Sequence, residues 1–318
     1  SSAEIFSDVD IEEMSGALAD AALAARPAKS GKYAARVKLL KDAFDFGKKC
    51  REEYFLKKKI FECVNAGESP EKVERLVRGL RVASEKKSKA FAELENAGEY
   101  PAPAFMEMMF TENLDPSVQA AEYLLAKGAD GNSLGALFSE EEIALAKASA
   151  GGAREAAGID GSFEGSGGGD LERLPVPRAW LPYECDYDGA SMAVSKRAAR
   201  SGKYGAEFLM CENSAISAAS KISEGDILIF DGYYRGRITP GTACYATIAF
   251  FGNGGKYLGR KTSLFHVSGG EKFSRFFCAA RAPKGSQMAV ASLFASRMKE
   301  GDFLFADDLR LRKADGGN

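Results

Sequence analysis

Carboxylates in an apolar strand pattern are the residues of this sequence most suited to chemistry. Asp307 and Asp308 lie within the alternating segment 304–311, and Glu164 follows Phe163 near the middle of the chain. A charged side chain is costly to bury unless a cation or hydrogen-bond donors meet it, and calcium prefers oxygen ligands of this kind. About 140 residues separate the two groups, the span of one domain. We therefore predict a structural ion site that joins the two ends of a domain.

Aromatic and arginine side chains alternate with apolar ones in a second pair of segments, 227–238 and 243–251. Even positions in both segments are apolar and predict a core-facing side, because successive side chains of a strand point to opposite faces. If the hairpin keeps both apolar sides in one core, the other face is shared by Tyr233, Arg235, Arg237, Tyr245 and Thr247. Aromatic rings and arginines together can bind sugars. An ordinary solvated face with cross-strand pairs explains the pattern equally well.

Most catalytic arrangements are disfavoured by the scarcity of histidine. His266 is the single histidine, so a triad or a multi-histidine zinc site would have to be built around it. The acidic loop residues Glu184, Asp186 and Asp188 leave open a glycosidase-like acid and base, although acidic loops are usually solvated. The six cysteines form no Cys-x-x-Cys pair, and we interpret them as buried free thiols.

Overall charge gives no reason to expect a polyanionic partner. The formal net charge is −2, and the lysine-rich stretch 48–59 is interspersed with glutamates at helical pairing distance. We therefore predict no nucleic-acid binding. No apolar run approaches the roughly 20 residues that span a bilayer, so no membrane span is predicted. The first residues lack an initiator Met, and we expect a fragment or a processed chain.

Two different sequence patterns divide the chain into predicted domains. Residues 1–158 show helical periodicity, with a strong start signal at Ser69-Pro70-Glu71, and predict an antiparallel helical bundle. Residues 159–318 show short alternating segments separated by glycine-rich turns, and predict a β-sandwich. The expected fold class is therefore multidomain α plus β.

Ordered short motifs in the second half resemble a known family. They begin with Ser162-Phe163-Glu164-Gly165 and end with Asp307-Asp308, and between them lie Ser201-Gly202-Lys203-Tyr204-Gly205, Tyr233-Tyr234-Arg235-Gly236, Gly255-Lys256-Tyr257-Leu258-Gly259 and Ala282-Pro283-Lys284-Gly285-Ser286. Their order and spacing over residues 160–313 resemble the jelly-roll carbohydrate-binding modules of families four, nine and twenty-two.

This resemblance implies a structural calcium ion. The carboxylates of Glu164 and Asp307 and the carbonyls of Ser162 and Tyr204 would supply its ligands. Where some family members place a glutamate, this chain has Ser201. Bonds from Asp307 and Glu164 to backbone amides or arginines are the alternative.

The resemblance also implies a set of glycan-binding residues. Tyr257 falls where some relatives present an aromatic side chain, Trp180 either fills the core or borders a cleft, and residues 213–216 lack a tryptophan that others have. Together with the hairpin residues, the predicted ligand-binding set is Tyr233, Arg235, Arg237, Tyr245, Tyr257 and Trp180.

We predict from these observations a non-catalytic polysaccharide-binding module with a helical accessory domain. It would tether an upstream glycoside hydrolase of the same chain to its substrate, in a secreted, periplasmic or cell-surface bacterial protein. The alternative is a structural or protein-interaction module without sugar binding, suggested by the missing tryptophan and by the apolar cluster 105–110.

Overall fold

The structure is a computed structural model of the 318-residue chain. It describes residues 7–25, 31–96, 115–151, 153–155, 161–166, 173–174, 181–183, 191–239, 242–265, 267 and 271–314. The chain divides into two compact units, Ser1–Lys59 with Glu74–Glu112 and Ile60–Val73 with Asn113–Asn318. The predicted boundary between residues 158 and 159 does not coincide with this division.

Six α-helices lie in the described residues: α1 Asp8–Ala25, α2 Gly31–Ala66, α3 Pro70–Asn96, α4 Ser117–Ala126, α5 Gly131–Gly135 and α6 Glu140–Ala150. The helical periodicity of the sequence predicts five of them, whereas the short helix α5 was not predicted. The Ser69 side chain accepts from the backbone N–H of Lys72 at 3.4 Å, which is the predicted cap of α3. Ser139 and Glu142 form a complete capping box at the start of α6.

In the first unit, α2 and α3 run antiparallel. Phe46 and Cys50 of α2 pack with Ala90 and Leu94 of α3. One turn further along, the Glu53 carboxylate is buried between the helices. Ser84 donates to it at 3.1 Å, and the ammonium groups of Lys57 and Lys87 lie at 3.0 and 2.7 Å. Burial raises the pKa of Glu53, but the two lysines outweigh that effect and lower it overall. The predicted antiparallel pairing is confirmed, while a complete bundle stays a prediction.

Twelve strands in the described residues build the second unit: β1 Arg154–Glu155, β2 Arg173–Leu174, β3 Leu181–Tyr183, β4 Ser191–Ser195, β5 Gly205–Leu209, β6 Asn213–Lys221, β7 Ile227–Arg237, β8 Ala243–Phe251, β9 Tyr257–Leu264, β10 Ser274–Arg281, β11 Met288–Ser296 and β12 Phe303–Ala314. Sheet A has the order β10-β7-β12-β5-β4-β2, with β1 on β12. Sheet B has the order β3-β6-β11-β8-β9. All pairings are antiparallel, so the predicted sheet-rich second half is confirmed.

The inward sides of the two sheets share an apolar core. Phe230 of β7 packs edge-on against Phe276 of β10 with ring centroids 5.2 Å apart, and Phe265, just after β9, stacks on Phe276 at 5.3 Å. Tyr234 is buried beside Phe265 at 4.3 Å. The even positions of β7 and β8 face this core, as their alternation predicts.

A β-bulge in β12 changes which side chains face outward. The pairing of β12 with β7 shifts between Asp307 and Arg310, and Asp308 has a φ of 53°. Before the bulge, the odd-numbered residues of β12 lie opposite outward-facing residues of β7. After the bulge, the even-numbered residues of β12 do so. Arg310 and Arg312 therefore lie on the same outer face as Asp307, because one extra residue reverses the alternation.

Helices α4 and α6 cover part of the outer face of sheet A, α4 through Glu122 and α6 through the carbonyl of Ser149, which accepts from Arg312 at 3.0 Å. Asp231 is fully buried, and its Oδ2 lies 2.5 Å from Arg275, 2.9 Å from Arg310 and 3.3 Å from Arg312. Glu122 of α4 also binds Arg275, at 2.5 Å. These helices thus belong with the sheets, although the sequence pattern assigns them to the helical half.

Five cysteines in the described part of the chain are buried thiols without a disulfide bond: Cys50, Cys63, Cys211, Cys244 and Cys278. Burial raises the pKa of the Cys278 thiol to about 12. The free-thiol prediction is confirmed for these five, while Cys185 lies outside the described residues. No helix that the structure describes has the length and apolarity needed to cross a membrane.

Candidate functional site

The outer face of sheet B carries a pair of stacked aromatic rings. Tyr245 of β8 lies directly opposite Phe294 of β11, and their rings are 4.8 Å apart and 9° from parallel. Both side chains are half-buried. They point outward because the residues that alternate with them in both strands fill the core. The stack is therefore a fixed aromatic feature that is partly open to solvent.

A row of hydroxyl side chains crosses the same face, two residues along from the stack. The pairing register aligns the four residues Ser217, Ser292, Thr247 and Thr262 on strands β6, β11, β8 and β9. The Oγ atoms of Ser217 and Ser292 are 2.7 Å apart. Ser292 and Thr247 are only 5% and 3% exposed, so the middle of the row lies deep. The hydroxyl side chains of this row that are partly open to solvent are therefore those at its ends, Ser217 and Thr262, which can donate and accept.

Further along, the face ends in exposed apolar and aromatic groups. Phe251 packs edge-on against Tyr257, with centroids 5.9 Å apart, and 56% of Tyr257 is exposed. Met288 lies opposite Phe251 on β11 and is 37% exposed. Between this end and the hydroxyl row, exposed Arg260 lies opposite Ala249. The outer face of sheet B thus has aromatic groups at both ends and hydroxyls between them.

Positive charge surrounds the aromatic stack. Burial raises the pKa of the Tyr245 hydroxyl, and the nearby charges of Arg260 and Arg297 act in the opposite direction. The outward positions described on β6, β8, β9 and β11 include no Asp or Glu. The face can therefore stack flat rings, bond to hydroxyls and attract negative charge, but among its described residues it has no acid–base pair.

The predicted hairpin platform is divided between two faces, which corrects the sequence-based picture. Strand β7 lies in sheet A and β8 in sheet B, so Tyr245 and Thr247 do not share a face with Tyr233, Arg235 and Arg237. The error arose because alternation assigns a side chain to a face without specifying the neighbouring strand. The structure instead places Tyr245 and Tyr257 on one face.

On the outer face of sheet A, the predicted arginines have partners within the protein. Arg235 donates to the carbonyl of Arg197 at 2.6 Å and stacks near Phe305, 5.2 Å from the ring centroid. Arg237 donates to the carbonyl of Gly301 at 3.0 Å. The ring of Tyr233 is likewise covered, by the guanidinium of Arg200 at 3.6 Å. Ligand binding by these three residues stays a prediction.

The predicted ion site brings Glu164 and Asp307 to a common loop. Glu164 Oε1 accepts from the backbone N–H groups of Lys203 and Tyr204 at 2.7 and 2.9 Å. Asp307 Oδ2 accepts from those of Arg200 and Ser201 at 2.7 and 3.0 Å. The two carboxylates thus hold opposite ends of loop 200–204.

The donor set around these carboxylates fits amide binding better than calcium binding. Asp307 Oδ1 also accepts a backbone N–H, from Asp308 at 2.7 Å, so both of its oxygens face donors. Burial raises the pKa of Asp307 to about 6, against the effect of these amides. No group of three potential His, Cys, Asp or Glu ligands occurs in the part of the chain that was described. Calcium binding by Glu164, Asp307, Ser162 and Tyr204 stays a prediction.

Several predicted residues fall outside the described residues, namely Trp180, Glu184, Asp186, Asp188, His266 and the cluster 105–110. Sequence reasoning missed other residues of the sheet B face, namely Ser217, Ser292, Phe294, Thr262 and Arg260. The alternation of segment 288–296 is a usable signal for Phe294 and Ser292. Their pairing with β8 has no local signal, because β8 and β11 are distant in sequence.

Comparison with known proteins gives similarities at the level of solved structures. No protein-family model matches the sequence, and neither does any curated protein. An enzymatically active domain of bacteriophage CBA120 tailspike protein 4 has a TM-score of 0.40 at 10% identity, with 50% of this chain and 21% of that chain covered. A family 16 carbohydrate-binding module has a TM-score of 0.36 at 13% identity, with 48% and 96% covered. TmCBM61, solved with β-1,4-galactotriose, has a TM-score of 0.36 at 15% identity, with 51% of this chain and 99% of that chain covered.

The match to the tailspike domain thus spans about a fifth of that chain. All three scores are low, and the identities are far below those of close relatives. The functional argument therefore rests on the geometry of this chain.

Proposed function

We propose that this protein binds a glycan on the outer face of sheet B, without catalysis. The observation that carries the proposal is the Tyr245–Phe294 stack, which adjoins a row of hydroxyl side chains whose end members, Ser217 and Thr262, are half-buried. Aromatic rings pack against the C–H faces of sugars, while hydroxyls exchange hydrogen bonds with sugar hydroxyls. A site on paired strands is already ordered, so little freedom is lost on binding.

Affinity measurements on two aromatic variants test this site. Binding of the full chain to a panel of soluble polysaccharides would be measured by affinity electrophoresis and calorimetry. We expect Tyr245→Ala and Phe294→Ala each to weaken binding by about fivefold to tenfold, since an aromatic contact contributes about 1 kcal/mol. Phe303→Ala is the matched control, because Phe303 is a half-buried aromatic on sheet A.

Unchanged affinity in both sheet B variants would refute the site. Absence of binding to every polysaccharide of the panel would refute glycan binding. Tyr233→Ala and Tyr257→Ala extend the experiment to the sequence-based set. A loss of affinity in Tyr233→Ala alone would move the site to sheet A.

The biological role that we propose is the tethering of an upstream glycoside hydrolase to its substrate. Binding close to the polymer raises the effective concentration of substrate at the attached catalytic domain. This role would place the protein outside the cytoplasm, as a secreted, periplasmic or cell-surface chain. Hydrolysis of an insoluble glycan would be compared for a hydrolase fused to this chain and one merely mixed with it. Equal rates would contradict tethering.

A structural calcium ion is a separate part of the proposal. If Glu164 and Asp307 hold calcium with the carbonyls of Ser162 and Tyr204, calcium should raise the melting temperature and a chelator should lower it. The Glu164→Gln variant should lose that response. No shift with either reagent would favour the amide bonds as the whole function of these carboxylates.

A protein-interaction role is the second candidate, and exposed apolar side chains on the first unit favour it. Val9 and Leu23 of α1 are 62% and 56% exposed, and Leu40 of α2 is 56% exposed. Exposed apolar side chains mark contacts with another protein where they form one contiguous patch. A pull-down of the chain with other domains of its parent protein, compared with a Leu23→Glu/Leu40→Glu variant, tests this role. Equal capture by the unmodified chain and by the double variant would count against it.

A further inference from the structure

Two arginines lie at the sheet B face, one on β9 and one just after β11. Arg260 and Arg297 are exposed, and neither forms an ion pair with any residue that the structure describes. In contrast, Arg197, Arg275 and Arg310 each pair with a buried carboxylate. The guanidinium donors at the sheet B face are therefore available to a ligand.

The backbone holds both arginines at the edges of the candidate site. Arg260 occupies a register position on β9 opposite Ala249, next to the end of the hydroxyl row at Thr262. Arg297 follows the last residue of β11. Its N–H donates to the carbonyl of Glu212 at 2.7 Å, and its carbonyl accepts from the Thr242 hydroxyl at 3.0 Å. These bonds fix Arg297 in a left-handed conformation with a φ of 57°.

Both positive charges also act on the aromatic stack. Arg260 and Arg297 lie on different sides of Tyr245 along the chain register, and each lowers the pKa of its hydroxyl. No outward-facing acid among the described strand residues of sheet B offsets them, and Lys221 of β6 adds a third positive charge at one end. A ligand that lies across the hydroxyl row would therefore meet positive charge at its edges.

We propose that the glycan recognised by this face is acidic, a chain whose sugars carry carboxylate or sulfate groups that pair with Arg260 and Arg297 while its rings contact Tyr245 and Phe294. This inference rests on the proposed function, since it names the ligand class of that site. Arginine is well suited to the task because its planar guanidinium can form two parallel bonds with an oxyanion. A neutral glycan would use the rings and hydroxyls but leave the arginines without partners.

Matched pairs of polymers test the inference. The full chain would be titrated with a polyuronate and its carboxyl-reduced form, and with a sulfated polysaccharide and its desulfated form. We expect the acidic member of one pair to bind at least about tenfold more tightly at low salt, and to lose that advantage as screening increases. The pair that shows the difference identifies the source of the charge.

Charge-removing variants connect the preference to the two arginines. Arg260→Gln and Arg297→Gln should each weaken binding of the acidic polymer by about threefold to tenfold, with little effect on its neutral form. Lys272→Gln is the control for net charge, because Lys272 is exposed and precedes β10 of sheet A. Polyaspartate should not bind, because it offers charge without sugar rings.

Four outcomes can be distinguished. Preference for an acidic polymer that both arginine variants lose supports the inference. Equal affinity for acidic and neutral forms overturns it while the proposed glycan site stands. Polyaspartate binding as tight as that of the acidic glycan overturns it in favour of unspecific charge attraction. Absence of binding to every polysaccharide overturns the proposed function and the inference together.

Discussion

The two outer faces of the sandwich use charged and aromatic groups in opposite ways. On sheet A, Asp231 is surrounded by three arginines, and the side chains of Arg235 and Arg237 donate to nearby carbonyls. On sheet B, Arg260 and Arg297 have no acidic partner in the described residues. Charged groups of the first face are thus paired within the protein, whereas the two arginines of the second face remain exposed to solvent.

The physical reason for this difference is burial. Helices α4 and α6 cover part of sheet A, and a charge removed from water needs partners in the fold itself. The described outward residues of sheet B include exposed side chains that water can solvate, so they need no such partners. We therefore expect mutations on sheet A to change stability and mutations on sheet B to change binding.

The largest effect is expected at Asp231. Asp231→Asn removes the negative charge that three arginines share, and should lower the free energy of unfolding by about 3–5 kcal/mol, because breaking a buried ion pair leaves uncompensated charge. Urea denaturation followed by circular dichroism measures this loss. Asp308→Asn, which affects the more exposed pair with Arg200, is the matched control and should cost below about 1 kcal/mol. A similar small cost at Asp231 would contradict the assignment of this network to stability.

A smaller loss is expected at Glu122, the α4 residue that binds Arg275. Glu122→Gln should lower the free energy of unfolding by about 1–3 kcal/mol, since it weakens charge-assisted hydrogen bonds between helix and sheet. Hydrogen exchange of α4 amides should accelerate in the variant. Unchanged exchange would show that apolar contacts hold α4 in place.

An acidic partner for Arg260 should make the sheet B face resemble that of sheet A, where arginines are paired within the protein. Ala249 lies opposite Arg260, so Ala249→Glu supplies a carboxylate across the strands. We expect a change in stability within about 1 kcal/mol, as is usual for exposed ion pairs, and a loss of acidic-glycan affinity of about fivefold. Ala249→Gln keeps the size without the charge and is the control. Equal affinities of these two variants would argue against a role for Arg260.

The subtlest expected effect concerns the titration of Tyr245. Because the positive charge of Arg260 favours the ionised tyrosine, Arg260→Gln should raise the pKa of Tyr245 further above its usual range. A raised pKa also means that the contribution of this group to stability is present below the pKa that the tyrosine has in the unfolded chain. That contribution is lost as the pH increases above this pKa. Difference absorbance titration, with Tyr245→Phe as the reference, measures the shift. An unchanged titration would place Arg260 too far from the stack to assist a ligand.

Local features of the fold were largely predictable. Ser69-Pro70 marks the start of α3 correctly, and the alternation in β7 and β8 identifies core residues such as Phe230 and Ile248. Capping and alternation depend on neighbours a few residues apart, so a short stretch of sequence contains the whole signal.

The candidate site was predictable only in part. Tyr245 and Tyr257 were predicted from the sequence as ligand-binding residues, and the structure places both on the sheet B face, whose binding role is still to be tested. Phe294, the stacking partner of Tyr245, was missed because register between distant strands has no local signature. The grouping of Tyr233 with Tyr245 failed for the same reason.

By itself, the sequence determined the kinds of elements, their approximate bounds and which side of each strand is apolar. The tertiary structure decided that β7 and β8 join different sheets, that the bulge at Asp307 and Asp308 turns Arg310 and Arg312 outward, and that α4 and α6 cover sheet A. Periodicity depends on residues close in the chain, whereas strand partners, bulges and helix docking depend on the packing of groups far apart in sequence. That packing pairs charged groups of one face within the protein and leaves two arginines of the other face exposed.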